Sequence, residues 1–153
     1  MNYNKLSELY KIAQDNDIGV YFLKMTDELK GYSTYANGCY DIFINNSLSY
    51  DDILHSMAHE MWHIQHGIGF AWTSDFQNEL YERKAENYAI TYIVPYEDVV
   101  DVVTDMYIKC EYEAAEKLHL DMNTFMWAVK YYESLGLPVR QCDFITDWRQ
   151  WDY

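Results

Sequence analysis

Two histidines four residues apart, with a glutamate directly after the first, stand in His59-Glu60-Met61-Trp62-His63. This run fits the H-E-x-x-H pattern of zinc hydrolases. On a helix of 3.6 residues per turn, residues four apart are offset by only about 40° and lie one above the other. Both imidazoles therefore reach one metal ion. Glu60 is turned about 100° from His59 and about 60° from His63, close to the metal but badly placed to bind it. That position suits a base acting on water that the metal activates.

The elements that must position these groups are legible around them. Ser49-Tyr50-Asp51-Asp52 places an N-cap serine three residues before a carboxylate, and Gly67 supplies a stop. Between them Leu54, Met57, Met61, Ile64 and Ile68 fall on one arc of a helix. His55, His59, Trp62, His63 and His66 fall on the opposite arc. The apolar arc should pack on a sheet, leaving the histidines facing a cleft or water. His55 is a candidate donor to a reaction oxyanion, and the plainer reading of both His55 and His66 is a polar residue on a wet helix face.

Ser74-Asp75-Phe76-Gln77 is a second capping pattern, opening a helix that should run to about Val94 before Pro95 stops it. Glu82, Ala85, Glu86, Ala89 and Ile93 share one face of it. Two alanines there permit a close approach to the histidine helix and bring a carboxylate to the metal, which needs a third protein ligand and one open position. Glu82 is the expected ligand. Glu86 would ligate instead, or orient a ligand histidine, or be a surface carboxylate beside Arg83 and Lys84. Glu79 is a weaker contender.

Upstream, Leu6, Leu9, Tyr10, Ile12 and Ala13 recur at helical spacing and predict a helix over about residues 3 to 15. The run Val20 to Met25 reads as a strand, as does the extended run from Gly31 through Tyr32, Thr34 and Tyr35. Asn37-Gly38 is a two-residue hairpin turn leading to a third strand, Cys39 to Asn45. The expected fold is α+β: a small antiparallel three-stranded sheet packed against the active-site helix, then a mostly helical C-terminal half.

In that half, helices are expected from Tyr96 to Val103, from Glu111 to Leu118 and from Thr124 to Leu135, with Gly136 and Pro138 ending the last. The last two resemble a helix-turn-helix, but the second lacks the basic residues that reading DNA requires. Trp148 and Trp151 mark a tail that would dock on the body or anchor a partner. No repeat or long linker divides the chain, so we expect one domain over residues 1–153, with a catalytic core over 1–95 and a helical part over 96–153.

The balance of 25 acidic against 11 basic residues gives a formal charge of −14. Affinity for nucleic acid comes largely from lysine and arginine against phosphate, so direct nucleic-acid binding and attraction to anionic membranes are disfavoured, while solubility and a basic protein partner are not. Cys39, Cys110 and Cys142 form neither a disulfide framework nor a C-x-x-C site, which fits a reducing compartment. No apolar run is long enough for a membrane span and the N-terminus lacks a signal-peptide core, so the expected location is the cytoplasm.

The run Ile42-Phe43-Ile44-Asn45, the helix with Met57-Ala58-His59-Glu60-Met61-Trp62-His63-Ile64, and Glu82-x-x-Ala85-x-x-Tyr88-Ala89 closing at Pro95 together resemble the ImmA/IrrE metallopeptidases. The resemblance spans about Ile42 to Pro95. It implies Zn2+ held by His59, His63 and Glu82, with Glu60 as catalytic base. It also implies a protein substrate, a helix-turn-helix repressor of the kind found on mobile elements or in stress responses. The chain departs from the family in carrying Trp62 where glycine is common, a ring that would reshape the cleft, and in being short. The alternative is a non-catalytic zinc-binding interaction protein, an anti-repressor or toxin-system component. Oligomeric state is not specified by these features.

Overall fold

The computed structural model describes residues 3–67 and 74–136. In chain order the elements are α1 (Tyr3–Asp15), β1 (Gly19–Leu23), β2 (Gly31–Ala36), β3 (Cys39–Asn45), α2 (Tyr50–Gln65), α3 (Asp75–Ile93), α4 (Tyr96–Thr104), α5 (Glu111–Lys117) and α6 (Met122–Ser134). The fold is α+β, with a helical C-terminal half. Two compact units divide the chain, residues 1–93 and 94–153. Ile68, Pro138, Cys142, Trp148 and Trp151 lie outside the described residues.

In the first unit the hairpin forms where its turn residues require it. Asn37 and Gly38 both take positive φ, 53° and 79°, as a two-residue turn between twisted strands demands. β2 and β3 pair antiparallel, from Gly31 opposite Ile44 to Ala36 opposite Cys39. The sheet is nevertheless mixed rather than wholly antiparallel as expected. Its order is β1-β3-β2, and β1 runs parallel to β3, with Val20 opposite Ile42 and Phe22 opposite Ile44.

The cause is the placement of β3. It carries Ile42 and Ile44, both without solvent exposure, and so takes the centre, where pairing and burial are greatest. The seven residues joining β1 to β2 are too few for a parallel crossover, so these two run in opposite directions on its two sides, and β1 is parallel to β3. The link over residues 24–30 is pinned by the buried Asn45, whose amide donates to the carbonyls of Thr26 (3.1 Å) and Leu29 (2.9 Å). Its carbonyl oxygen accepts from Ser47 N and Oγ at the approach to α2. A buried amide with every such group paired can specify a chain path at little net cost.

The start of α2 is capped as its sequence predicts: Ser49 Oγ accepts from the backbone N of Asp52 at 3.3 Å. Leu54, Met57, Met61 and Ile64 are all buried, packed with Ile42, Ile44, Leu9, Ala13 and Ile18 in one core. Gly67 takes a φ of 61° just beyond the helix. Ser74 caps α3 by accepting from Gln77 N at 3.2 Å. Ala85 and Ala89 have no solvent exposure, and the close α2–α3 approach they permit is what joins the two site helices.

The second unit is helical throughout its described residues. Val99, Val102 and Val103 on α4, Ala114 and Ala115 on α5, and Phe125, Met126, Ala128 and Val129 on α6 are buried. Burial, rather than the weak helix propensity of valine, accounts for α4. His119 takes a φ of 57° in the tight link between α5 and α6, and Asp121 caps α6.

Candidate metal centre and active site

α2 and α3 bring two imidazole nitrogens and a carboxylate together. His59 Nε2 lies 3.1 Å from Glu82 Oε2, His63 Nε2 lies 3.1 Å from Glu82 Oε1, and the two Nε2 atoms are 3.2 Å apart. Neighbouring ligands of a tetrahedral zinc stand about 3.3 Å apart, given bonds of 2.0 to 2.1 Å. Two imidazole nitrogens and one carboxylate, with one donor atom from each residue lying within 4.8 Å of the others, fit a divalent cation in donor chemistry and can close around one. The rings are largely covered, while the Glu82 side chain is 61% exposed.

The electrostatics favour positive charge at this point. Burial opposes a charged His59 ring, but its hydrogen bond to Glu86 and the charges of Glu60, Glu82 and Glu86 outweigh burial and raise its pKa. The same field attracts a metal ion. In His63 burial prevails over the pull of Glu82, lowering the pKa and favouring the neutral ring a metal requires.

Glu86 has the contacts of an orienting group. Its Oε1 lies 2.6 Å from His55 Nε2 and its Oε2 lies 3.2 Å from His59 Nδ1. Burial works against its charge, yet hydrogen bonds from His55 and His59 pull its pKa down to about 2. An ionised carboxylate can only accept, so both rings donate to it. In the neutral, metal-binding ring this puts the His59 proton on Nδ1 and its Nε2 lone pair at the donor cluster. His55 is thereby engaged with Glu86. Glu79 pairs loosely with Arg83 at 3.9 Å on an exposed face and is not one of the clustered donors. His66 is exposed and lies at the end of α2, its Nδ1 donating to the Trp62 carbonyl at 2.8 Å.

Glu60 is 9% exposed and accepts a hydrogen bond of 2.6 Å from Ser33 Oγ on β2. The strand comes this close because Gly31 has no side chain: a Cβ there would stand 2.5 Å from Ser56 Oγ and 2.8 Å from the Phe43 carbonyl oxygen. A cavity of about 180 Å³ opens beside His59 and Glu60, lined also by Lys30, Gly31, His55, Ser56 and Glu86. Trp62 is buried and does not line this cavity. Its ring stacks on His66 at 4.1 Å and meets His63 edge-on at 5.6 Å, with Tyr81 of α3 beyond.

Ser33 and Gly31 escaped the sequence reading of this site. A signal was present, since Gly31 and Ser33 alternate on the strand face where a sheet packed on a helix would ordinarily carry large apolar residues.

A histidine helix and a glutamate helix locked together beside a small sheet, with a carboxylate next to the donor cluster, define a metallopeptidase-type catalytic domain. Residues 13–125 match the peptidase family described as the IrrE N-terminal-like domain, and the chain belongs to that family. The matched stretch extends beyond the Ile42 to Pro95 motif region into the helices of the second unit. No curated protein matches the chain closely enough to be reported as a relative. None of the described helices is long and apolar enough to cross a membrane.

Proposed function

We propose that the protein is a zinc-dependent endopeptidase acting in the cytoplasm on a protein substrate of the helix-turn-helix repressor type. The observation that carries this reading is the convergence of His59 Nε2, His63 Nε2 and the Glu82 carboxylate at 3.1 to 3.2 Å, with Glu60 beside them but bonded elsewhere. His59, His63 and Glu82 would hold the ion. When bound, zinc supplies a Lewis acid that acidifies water and polarises a carbonyl.

The protein's own part is proton handling and alignment. Glu60, held through one oxygen by Ser33, uses the other to take a proton from the attacking water and later returns it to the leaving amine. The exposure of Glu82 supports a reactive centre over a structural one, because structural zinc sites are closed by four protein ligands. A formal charge of −14 supports a basic partner, as a DNA-binding repressor is.

The test is metal analysis of purified protein, followed by incubation with a genetically adjacent repressor and mass spectrometry of the products. Stoichiometric zinc with discrete fragments supports the proposal. Repressor binding without fragments supports the non-catalytic interaction protein instead. Glu82→Ala should lower metal content more than Glu86→Ala, and the reverse order would transfer the ligand role to Glu86.

A further inference from the structure

His55 stands one turn before His59 on α2, as Glu86 stands one turn after Glu82 on α3. The two helices therefore face each other through two successive rungs. One rung is the donor cluster of His59, His63 and Glu82. The other is the 2.6 Å contact between His55 Nε2 and Glu86 Oε1. Glu86 Oε2 links the rungs by its bond to His59 Nδ1.

The His55 side chain is 17% exposed and that of Glu86 is 28% exposed, so the contact is partly shielded from water. A short charge-assisted hydrogen bond in such a place restrains both partners. The restraint matters because Glu86 has alternatives. A carboxylate one turn from Glu82 on the same face could rotate toward the cluster, and would then release the Nδ1 proton of His59. The other ring offers no equivalent anchor: His63 Nδ1 is buried and has no hydrogen-bond partner among the described residues. Orientation of the centre through a ring's second nitrogen thus falls to the His59–Glu86–His55 chain.

We propose that His55 is a positioning residue for the metal centre, holding Glu86 against His59 and so setting how tightly a divalent cation is retained. The proposal rests on the reading of His59, His63 and Glu82 as the metal ligands. Residues that orient a ligand in this way are typically worth 10- to 100-fold in metal affinity.

The experiment titrates the chelator-stripped full chain with zinc alone, against a competing chromophoric chelator, with folding checked by circular dichroism. His55→Ala should weaken zinc binding about tenfold. His55→Gln, which keeps a side-chain N–H, should recover most of that loss. Glu86→Gln should weaken binding by at least as much as His55→Ala, and His55→Ala combined with Glu86→Gln should bind no more weakly than Glu86→Gln alone. A structural role for His55 would not produce that non-additivity. Parental affinity in a folded His55→Ala variant, or losses that multiply in the double variant, would overturn the proposal. His59→Ala separates the two readings. If it abolishes binding while His55→Ala does not weaken it, only the role of His55 fails; if it binds zinc as the parent does, the metal-centre reading fails and takes this proposal with it.

Discussion

Ser33 Oγ donates a hydrogen bond of 2.6 Å to Oε2 of Glu60, tying the outer strand β2 to the active-site helix at its one acidic residue beside the donor cluster. A base that must meet one water in one orientation gains from having its other oxygen held. Ser33→Ala should lower kcat about tenfold, equivalent to about 1.4 kcal/mol of barrier, on any substrate the protein cleaves. KM and zinc content should stay at parental values, and Ser33→Thr should restore most of the rate. An unchanged kcat would remove Ser33 from the reaction.

Replacing Glu60 by Gln keeps the shape and the contact with Ser33 while removing the ability to take a proton. The Glu60→Gln variant should bind zinc stoichiometrically by elemental analysis yet cleave at least about 100-fold more slowly. Cleavage at the parental rate would refute the assignment of Glu60 as base.

Gly31 is required by space rather than by dihedral angle. Its missing side chain lets β2 lie against Ser56 and the Phe43 carbonyl, and one of those neighbours is backbone that cannot swing aside. Gly31→Ala should cost about 1 to 3 kcal/mol in urea denaturation, the usual range for overpacking. It should also disturb the Ser33 contact two residues on. A denaturation midpoint equal to the parent's would show that the strand yields freely.

Asp121 gives the second unit an acid-sensitive stability. Its side chain accepts from Thr124 N at 3.0 Å and Thr124 Oγ1 at 2.6 Å. Burial would raise its pKa, but these hydrogen bonds outweigh burial and lower it below the ordinary 3.8. A depressed carboxylate contributes stability that is complete above the unfolded pKa and is lost as pH falls through the lower folded value. Asp121→Ala should therefore cost about 1 kcal/mol near neutral pH, as lost N-caps do, and less in stronger acid. Asp121→Asn should keep most of the cap while flattening the dependence below pH 3.8. Denaturation series at several acid pH values measure both, and a pH-independent cost for Asp121→Ala would count against the ionised cap.

Much of this protein is determined by its sequence at short range. The caps at Ser49 and Ser74, the Asn37-Gly38 turn, and the opposed arcs of Leu54, Met57, Met61 and Ile64 against His55, His59 and His63 depend on neighbours within one or two turns. A periodicity of 3.6 or 2 records such relations directly. Ala85 and Ala89 even announced the close helix approach that carries Glu82 to the histidines.

Tertiary structure decided what depends on elements far apart in the chain. Strand order is one case, because the short link over residues 24–30 makes β1 and β2 run oppositely, and the parallel pairing of β1 with β3 then follows from β3 lying between them, not from any residue in β1. The part played by Glu86 is another. Its place on α3 is compatible with ligand, orienting group and surface charge, and its bonds to His55 and His59, 31 and 27 residues away, come only from the packed chain. Ser33 is the third, since a hydroxyl in a strand has no local reason to meet a glutamate 27 residues later. Periodicity shows which way a side chain points; only the packed chain shows what it meets there.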